Sequence, residues 1–293
     1  MLDADVSWLN TLPKNERLVE HPEPPGGSSD IRGRGLSFFY PSLTKGTHTN
    51  PMVRVLWKSD ACMVVFKPAG LATQAPSPHP SLEAMVREHL ADASQASRYV
   101  AFPHRLDRPV SGVILVALSK RAANLLSQQF ESRKVQKRYL AWVQGDATRC
   151  QSQWQDAIRK VPDLARCEIA DANTPDAKVA MTTVRVLGSR ETTGEERGST
   201  LLELCPVTGR MHQLRLQCSH HGYPILGDTL YGSREEFSHG TTDDQAINRV
   251  STHPPIALHA WAIEFHDPAN GKRVVVQASP PWSQAFHPAI DPF

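Results

Sequence analysis

Short alternating and apolar runs dominate the chain, and helical patterns are few. Val53-Arg-Val-Leu-Trp57 and Met63-Val-Val-Phe66 predict two short strands separated by a Lys-Ser-Asp turn. Lys67-Pro-Ala-Gly70 stops the second strand, because proline removes a backbone donor and glycine permits a tight bend. Ser81 is placed to cap a helix carrying Leu82, Met85, Val86 and Leu90 on one face. The apolar run Val113-Ile-Leu-Val-Ala117 predicts a buried strand. Ser119 then predicts the cap of a helix over residues 120–131, with Ala122, Ala123, Leu125, Leu126 and Phe130 on its apolar side. Residues 137–143 alternate as a strand should, and Gly145 ends them. Residues 146–178 are polar and irregular and predict loops with short strands. Strands over 178–187 and 200–205 flank a polar hairpin loop, 188–199. Gly209 precedes a helix with Met211, Leu214 and Cys218 at helical spacing, and Gly222 suits the left-handed position that ends it. The polar stretch 233–252 predicts an insertion or loop. Residues 258–265 and 273–277 predict a closing hairpin with Asp267, Pro268, Asn270 and Gly271 in its turn. Many strands with few, separated helices indicate an α+β domain on a mixed, mainly antiparallel sheet, with flanking helices and a cleft.

Breakers change the picture at the N-terminus. Pro22, Pro24, Pro25, Gly26, Gly27, Ser28 and Ser29 make residues 1–50 a Pro/Gly-rich extension, and residues 51–293 the body. The chain of 293 residues is 40% hydrophobic and 21% charged, an ordinary globular profile. A net charge of +2 excludes a protein that binds nucleic acid by bulk charge, so any basic surface is local. Arg105, Arg108, Lys120, Arg121, Arg133, Lys134, Lys137 and Arg138 do cluster in sequence, a pattern that also fits a solvated face. Five scattered cysteines with no CxxC pair argue against a disulfide framework and against a zinc site, and fit a reducing compartment. Cys218, His220 and His221 lack a second ligand cluster at zinc-finger spacing. No apolar run reaches the ~18 residues of a membrane span, and the N-terminus lacks the basic-then-apolar layout of a signal peptide. A soluble cytoplasmic protein is the expectation, with an organellar address left open.

The candidate chemistry sits in Pro103-His-Arg-Leu-Asp-Arg-Pro-Val-Ser-Gly112. Asp107 lies between Arg105 and Arg108, ahead of a Ser-Gly bend and an apolar strand. Nearby cations favour the carboxylate form and keep it available as a nucleophile or base. The alternative is a surface turn with a local ion pair. Ser111 as the nucleophile of a hydrolase is a weaker reading, since the Gly-x-Ser-x-Gly elbow is missing. Further along, His212 and Arg215 are three apart and share one helical face, while Arg210 and Gln213 share a neighbouring one.

Four blocks in one order then resemble the RluA family of RNA pseudouridine synthases. They are Val64-Val-Phe-Lys-Pro-Ala-Gly70; His104-Arg-Leu-Asp107 with Ser111-Gly112; Lys137-Arg-Tyr-Leu-Ala141; and Thr208-Gly-Arg-x-His-Gln-Leu-Arg215 with Gly222-x-Pro-Ile-x-Gly-Asp-x-x-Tyr-Gly232. The ending through Leu258-His-Ala, Phe265 and Pro280-Pro-Trp282 fits as well. The resemblance implies isomerisation of uridine to pseudouridine in structured ribosomal or transfer RNA. It implies no cofactor, no metal and no membrane, and a monomer. It also implies roles: Asp107 as the catalytic aspartate, Tyr139 stacking on the target base, and Arg215 pairing with Asp107. Arg105 would fill the gap left by the flipped nucleotide, a place suited to a planar cation. His104, Arg108, Arg210 and His212 join it as candidate RNA contacts. For His104 and His212 a structural hydrogen bond competes with that reading, for Arg210 a helix cap does, and Lys67 is read as shaping its loop.

The chain departs from the family pattern at Arg108-Pro109-Val110, where a polar pair ending in threonine is usual before Ser-Gly. That bears on substrate choice or loop rigidity and leaves the aspartate in place. The first fifty residues look too short and too rich in proline and glycine for the N-terminal RNA-binding domain of many relatives. A catalytically inactive RNA-binding or ribosome-assembly factor with the same fold is the competing expectation, opposed by the intact Asp107, Tyr139 and Arg215.

Overall fold

In the computed structural model, described over residues 53–92, 99–190, 198–237 and 254–282, ten strands and three helices build one sheet with helices against it. The strands are β1 (Val55–Lys58), β2 (Cys62–Lys67), β3 (Ser111–Ala117), β4 (Gln136–Gln144), β5 (Gln153–Lys160), β6 (Cys167–Ile169), β7 (Lys178–Arg190), β8 (Ser199–Pro206), β9 (Leu258–His266) and β10 (Arg273–Gln277). The helices are α1 (Leu82–Asp92), α2 (Lys120–Glu131) and α3 (Gln213–His220). Strand order is β1-β2-β3-β9-β4-β8-β7-β5-β6, with β10 on β9. Among the described strands only β3 and β9 pair in parallel, so the mixed, mainly antiparallel sheet is as expected.

The apolar run of β3 is explained by burial on both faces. Ile114 and Val116 enter the main core with Met63, Val65 and the α1 residues Leu82, Val86 and Leu90. Val113, Leu115 and Ala117 enter a second core on the opposite face, closed by Ala122 and Leu126 of α2. The α2 cap is as predicted, with Ser119 Oγ accepting the Ala122 N–H at 3.1 Å. Ser81 Oγ likewise accepts the Ala84 N–H at 3.2 Å.

Two segments differ from expectation. Residues 146–178 hold a full eight-residue strand, β5, whose buried Trp154 and Ile158 alternate with exposed or half-buried polar residues. β7 runs on to Arg190, which shortens the predicted 188–199 loop. Residues 191–197, residues 238–253 and the N-terminal extension 1–50 lie outside the described residues.

One lateral row sets the geometry of the cleft. Gly112 of β3 pairs with Ala260 of β9, and Ala260 pairs with Tyr139 of β4. Gly112 has φ +127°, and a Cβ there would lie 2.6 Å from Ala260 N and 2.7 Å from its carbonyl carbon. Only glycine lets β3 and β9 approach so closely. That approach brings the 103–110 turn, just before β3, alongside Tyr139. Tyr139 itself follows a register shift in the β4–β9 pairing, the kind of irregularity that re-aims a side chain.

Candidate active site

Asp107 is held in a turn whose neighbours are clamped from outside. Thr73 Oγ1 donates to Leu106 O at 2.9 Å and accepts the Leu106 N–H at 3.2 Å. On the other side Arg108 O accepts from Gly70 N at 2.7 Å and from Lys67 Nζ at 3.2 Å. Val110 N closes the turn on Asp107 O at 3.1 Å. Lys67 is fully buried and also donates to Pro68 O at 2.9 Å and Leu71 O at 2.7 Å. It therefore shapes its loop, as predicted, and ties that loop to the turn carrying Asp107. Val110 is 2% exposed in the main core. A threonine hydroxyl there would need a buried partner, so the departure at this position is apolar packing.

Burial pushes the Lys67 ammonium down to about 7, and the negative charge of Asp107 opposes that shift. Folded Lys67 thus gives up its proton at a lower pH than an unfolded lysine, which keeps it to about 10.4. The unfolded chain binds more protons in that window, so this group makes stability rise with pH. Between pH about 7 and about 10, wild type should gain up to ~1.4 kcal/mol per pH unit over Lys67→Met. Urea unfolding of both proteins across that range checks it, and parallel curves would overturn the shifted lysine.

Two side chains from the α3 region face the Asp107 carboxylate. Arg215 Nη1 lies 3.5 Å from Asp107 Oδ2, and His212 Nε2 lies 3.8 Å from the same oxygen. The carboxylate is held through one oxygen, and its side chain is 31% exposed. The helix begins at Gln213, later than the sequence suggested, and His212 precedes it in the left-handed region at φ 51°. Gly222, at φ +89°, follows the helix end as expected.

Arg215 meets Asp107, the pairing the resemblance implies, but this is its looser contact. Its tightest partner is Asp228, which accepts from Nε at 2.7 Å and from Nη2 at 2.8 Å. Arg215 is 6% exposed and Asp228 is 1% exposed. The forked geometry fixes the plane of the guanidinium and leaves Nη1 to reach toward Asp107. The Asp228 carboxylate also holds the arginine above its ordinary range, against the cost of burial, so the cation persists. In the sequence Asp228 stands out only as part of the Gly222–Gly232 block. Its signal was available, since a buried arginine on an apolar helix requires a buried acid.

Tyr139 is 9% exposed. Burial, and then the charge of Asp107, push its phenol above the ordinary range. It is a neutral phenol at physiological pH, able to stack and to donate. Arg105 is exposed two residues before Asp107, and Arg108 is half-buried.

His104 is placed structurally. Its Nε2 accepts the Leu115 N–H at 3.0 Å, its ring lies 4.9 Å from that of Phe130, and burial pushes it down to about 3. β9 pairs only with the first two residues of β3, and His104 supplies an acceptor that β9 no longer reaches. Its ring nitrogen is thereby committed to the sheet, which leaves the structural alternative for this residue. Arg210 is exposed, its Nε donates to Val179 O at 3.1 Å, and its own N–H meets Gln213 Oε1 at 3.0 Å.

Ser111 has a histidine partner that sequence reasoning missed, His259 Nδ1 at 2.8 Å. Both residues are buried, and His259 Nε2 donates to Ala278 O at 2.8 Å instead of to a carboxylate. This pair joins β3 to β9 and is closed to a substrate. His221 stacks on Trp154 at 4.5 Å and meets Asp156 Oδ2 at 3.2 Å, while Cys218 is fully buried, so the Cys218, His220, His221 run forms no shared ligand set.

Comparison with known proteins identifies relatives of the chain. A family model described as RNA pseudouridylate synthase matches residues 61–220, just over half of the chain. The chain is 31% identical over 234 residues to ribosomal large subunit pseudouridine synthase C of Haemophilus influenzae, covering 77% of this chain and 65% of that protein. It is 30% identical over 300 residues to tRNA pseudouridine synthase C of Pectobacterium carotovorum, covering 96% and 74%. Among solved structures, human RNA Pseudouridylate Synthase Domain Containing 1 superposes with a TM-score of 0.57 at 25% identity, over 79% of this chain and 84% of that one. The chain thus spans about two thirds of the length of its ribosomal relative.

Proposed function

The chain belongs to the RNA pseudouridylate synthase family, in its RluA branch, and from that premise we propose that it isomerises uridine to pseudouridine within structured RNA. The observation that carries the reading is the Asp107 carboxylate, held at one oxygen by buried Arg215 and His212 and set beside Tyr139. In this reading Asp107 acts on the ribose as the bond from C1′ to N1 breaks. The base turns, its C5 carbon bonds C1′, C5 loses a proton and N1 gains one. The balance is closed, with no redox change. Tyr139 stacks on the base, and its raised phenol makes it a proton donor or relay in preference to a standing base. Arg105, exposed two residues before Asp107, fills the space left by the flipped nucleotide. Arg108, Arg210 and His212 border the same turn and helix start, and the two arginines are the candidate backbone contacts.

The relatives' names point to ribosomal and transfer RNA, and both belong in the test. We read the enzyme as a cytoplasmic monomer that uses no cofactor. The experiment is release of tritium from RNA labelled at uridine C5, because the new carbon–carbon bond displaces that hydrogen. RNA from cells lacking the protein should release tritium with the wild-type chain. Tight RNA binding without release from either RNA would favour the inactive binding factor.

A further inference from the structure

We infer that Tyr231 is a positioning residue of this site: its hydroxyl fixes His212 with the proton on Nε2, toward Asp107, while its ring supports Arg215. Tyr231 lies in the short 3-10 turn Thr229–Tyr231 and is 7% exposed. Its hydroxyl oxygen accepts the Cys167 N–H at 2.9 Å and lies 2.9 Å from His212 Nδ1. The Arg215 guanidinium carbon sits 5.1 Å over its ring. One side chain therefore touches both groups that face Asp107.

The proton positions follow from donor counting. A phenol has one proton, and its oxygen here already accepts from Cys167. His212 Nε2 stands 3.8 Å from the Asp107 carboxylate, where a bare lone pair would be repelled. A neutral ring with its proton on Nε2 leaves Nδ1 as an acceptor, and Tyr231 donates to it. The Tyr231–His212 bond is then made, and Nε2–H faces the carboxylate at 3.8 Å as an electrostatic contact, not a hydrogen bond. The opposite tautomer would take the His212 acceptor away from the phenol proton and turn a lone pair toward the carboxylate.

The backbone agrees. His212 occupies the position before α3 in the left-handed region, φ 51° and ψ 21°; its carbonyl accepts the Leu216 N–H at 2.9 Å, but its side chain makes no capping bond. The imidazole is thus left to the Tyr231 and Asp107 side of the helix start. Burial also keeps the Tyr231 phenol up at about 12, so it stays a donor, and burial pushes His212 down, so it stays neutral. Asp107 then faces one full cation and one N–H dipole. Two full cations would hold the carboxylate more tightly in the ground state, where the interaction gives no acceleration.

The effect on turnover rests on the proposed synthase activity, whereas the tautomer does not. Nitrogen NMR of the full chain with labelled histidine, the His212 signal assigned by its loss in His212→Gln, should show the proton on Nε2 in wild type. Tyr231→Phe should abolish that fixed tautomer and lower kcat for tritium release roughly 10- to 100-fold with KM nearly unchanged. A second pair guards against misfolding. Glutamine carries its amide to the Nε2 position and asparagine only to Nδ1, so His212→Gln should retain several-fold more turnover than His212→Asn. A wild-type proton on Nδ1, unchanged turnover in Tyr231→Phe, or the reverse order of Gln and Asn would overturn the inference. Failure of wild type to release tritium would count against the activity and leave the tautomer to be decided by NMR alone.

Discussion

Asp107→Asn should lower pseudouridine formation by at least about 10³-fold, the low end of what loss of a central catalytic group costs elsewhere. RNA affinity should change little, because the substitution keeps the shape and removes only a half-open carboxylate. The turn does not depend on that charge. Thr73, Gly70 and Lys67 hold the backbone on either side of it, and Arg215 keeps Asp228 as its main partner. The lost pair with Arg215, at 3.5 Å to a carboxylate 31% exposed, belongs to the weak class of solvent-screened contacts. Tritium release and a direct RNA-binding titration on the same preparation separate the two effects. Retention of even a tenth of the wild-type rate would remove Asp107 from the chemistry.

The reach of the sequence is clearest where signals are local. Ser119 before an amphipathic run gave α2 at its observed boundaries, since a cap and a 3.6-residue period fix a helix without tertiary help. Asp107 was visible from its flanking arginines and the Ser-Gly bend. β5 was hidden because Gln153 and Gln155 are exposed and Asp156 puts a carboxylate on the buried side, which only Trp154 and Ile158 then mark as apolar. Nothing local could reveal that Gly112, Ala260 and Tyr139 align, because that row is set by the register of three strands distant in sequence. The same holds for Lys67, whose three carbonyl partners include one from the Asp107 turn. Arg215 and its pairing with Asp107 follow from the helix and the resemblance, but the return turn delivers Asp228, the acid it holds most tightly. The departure at Val110, read as bearing on substrate choice or loop rigidity, also packs in the main core, which no local signal showed.

Asp228→Asn should destabilise the fold by about 3–5 kcal/mol, because it strands a buried guanidinium without its counter-charge. At roughly 2–4 °C per kcal/mol for a domain of this size, the melting temperature should fall by about 6–20 °C. The catalytic effect is separate. Freed from its fork, Arg215 would turn toward Asp107, the remaining acid near it, and hold that carboxylate harder than the 3.5 Å contact does now. Turnover of the folded fraction should therefore fall as well. Adding Arg215→Met distinguishes a stranded charge from simple loss of packing. With both charges gone, the double variant should be more stable than Asp228→Asn alone, since removing a buried pair together is far less costly than removing one partner. Its activity should stay low, because Asp107 has lost its cation. A double variant less stable than the single one would mean that Asp228 acts through contacts other than Arg215, and the account of how α3 delivers its arginine to the site would fail.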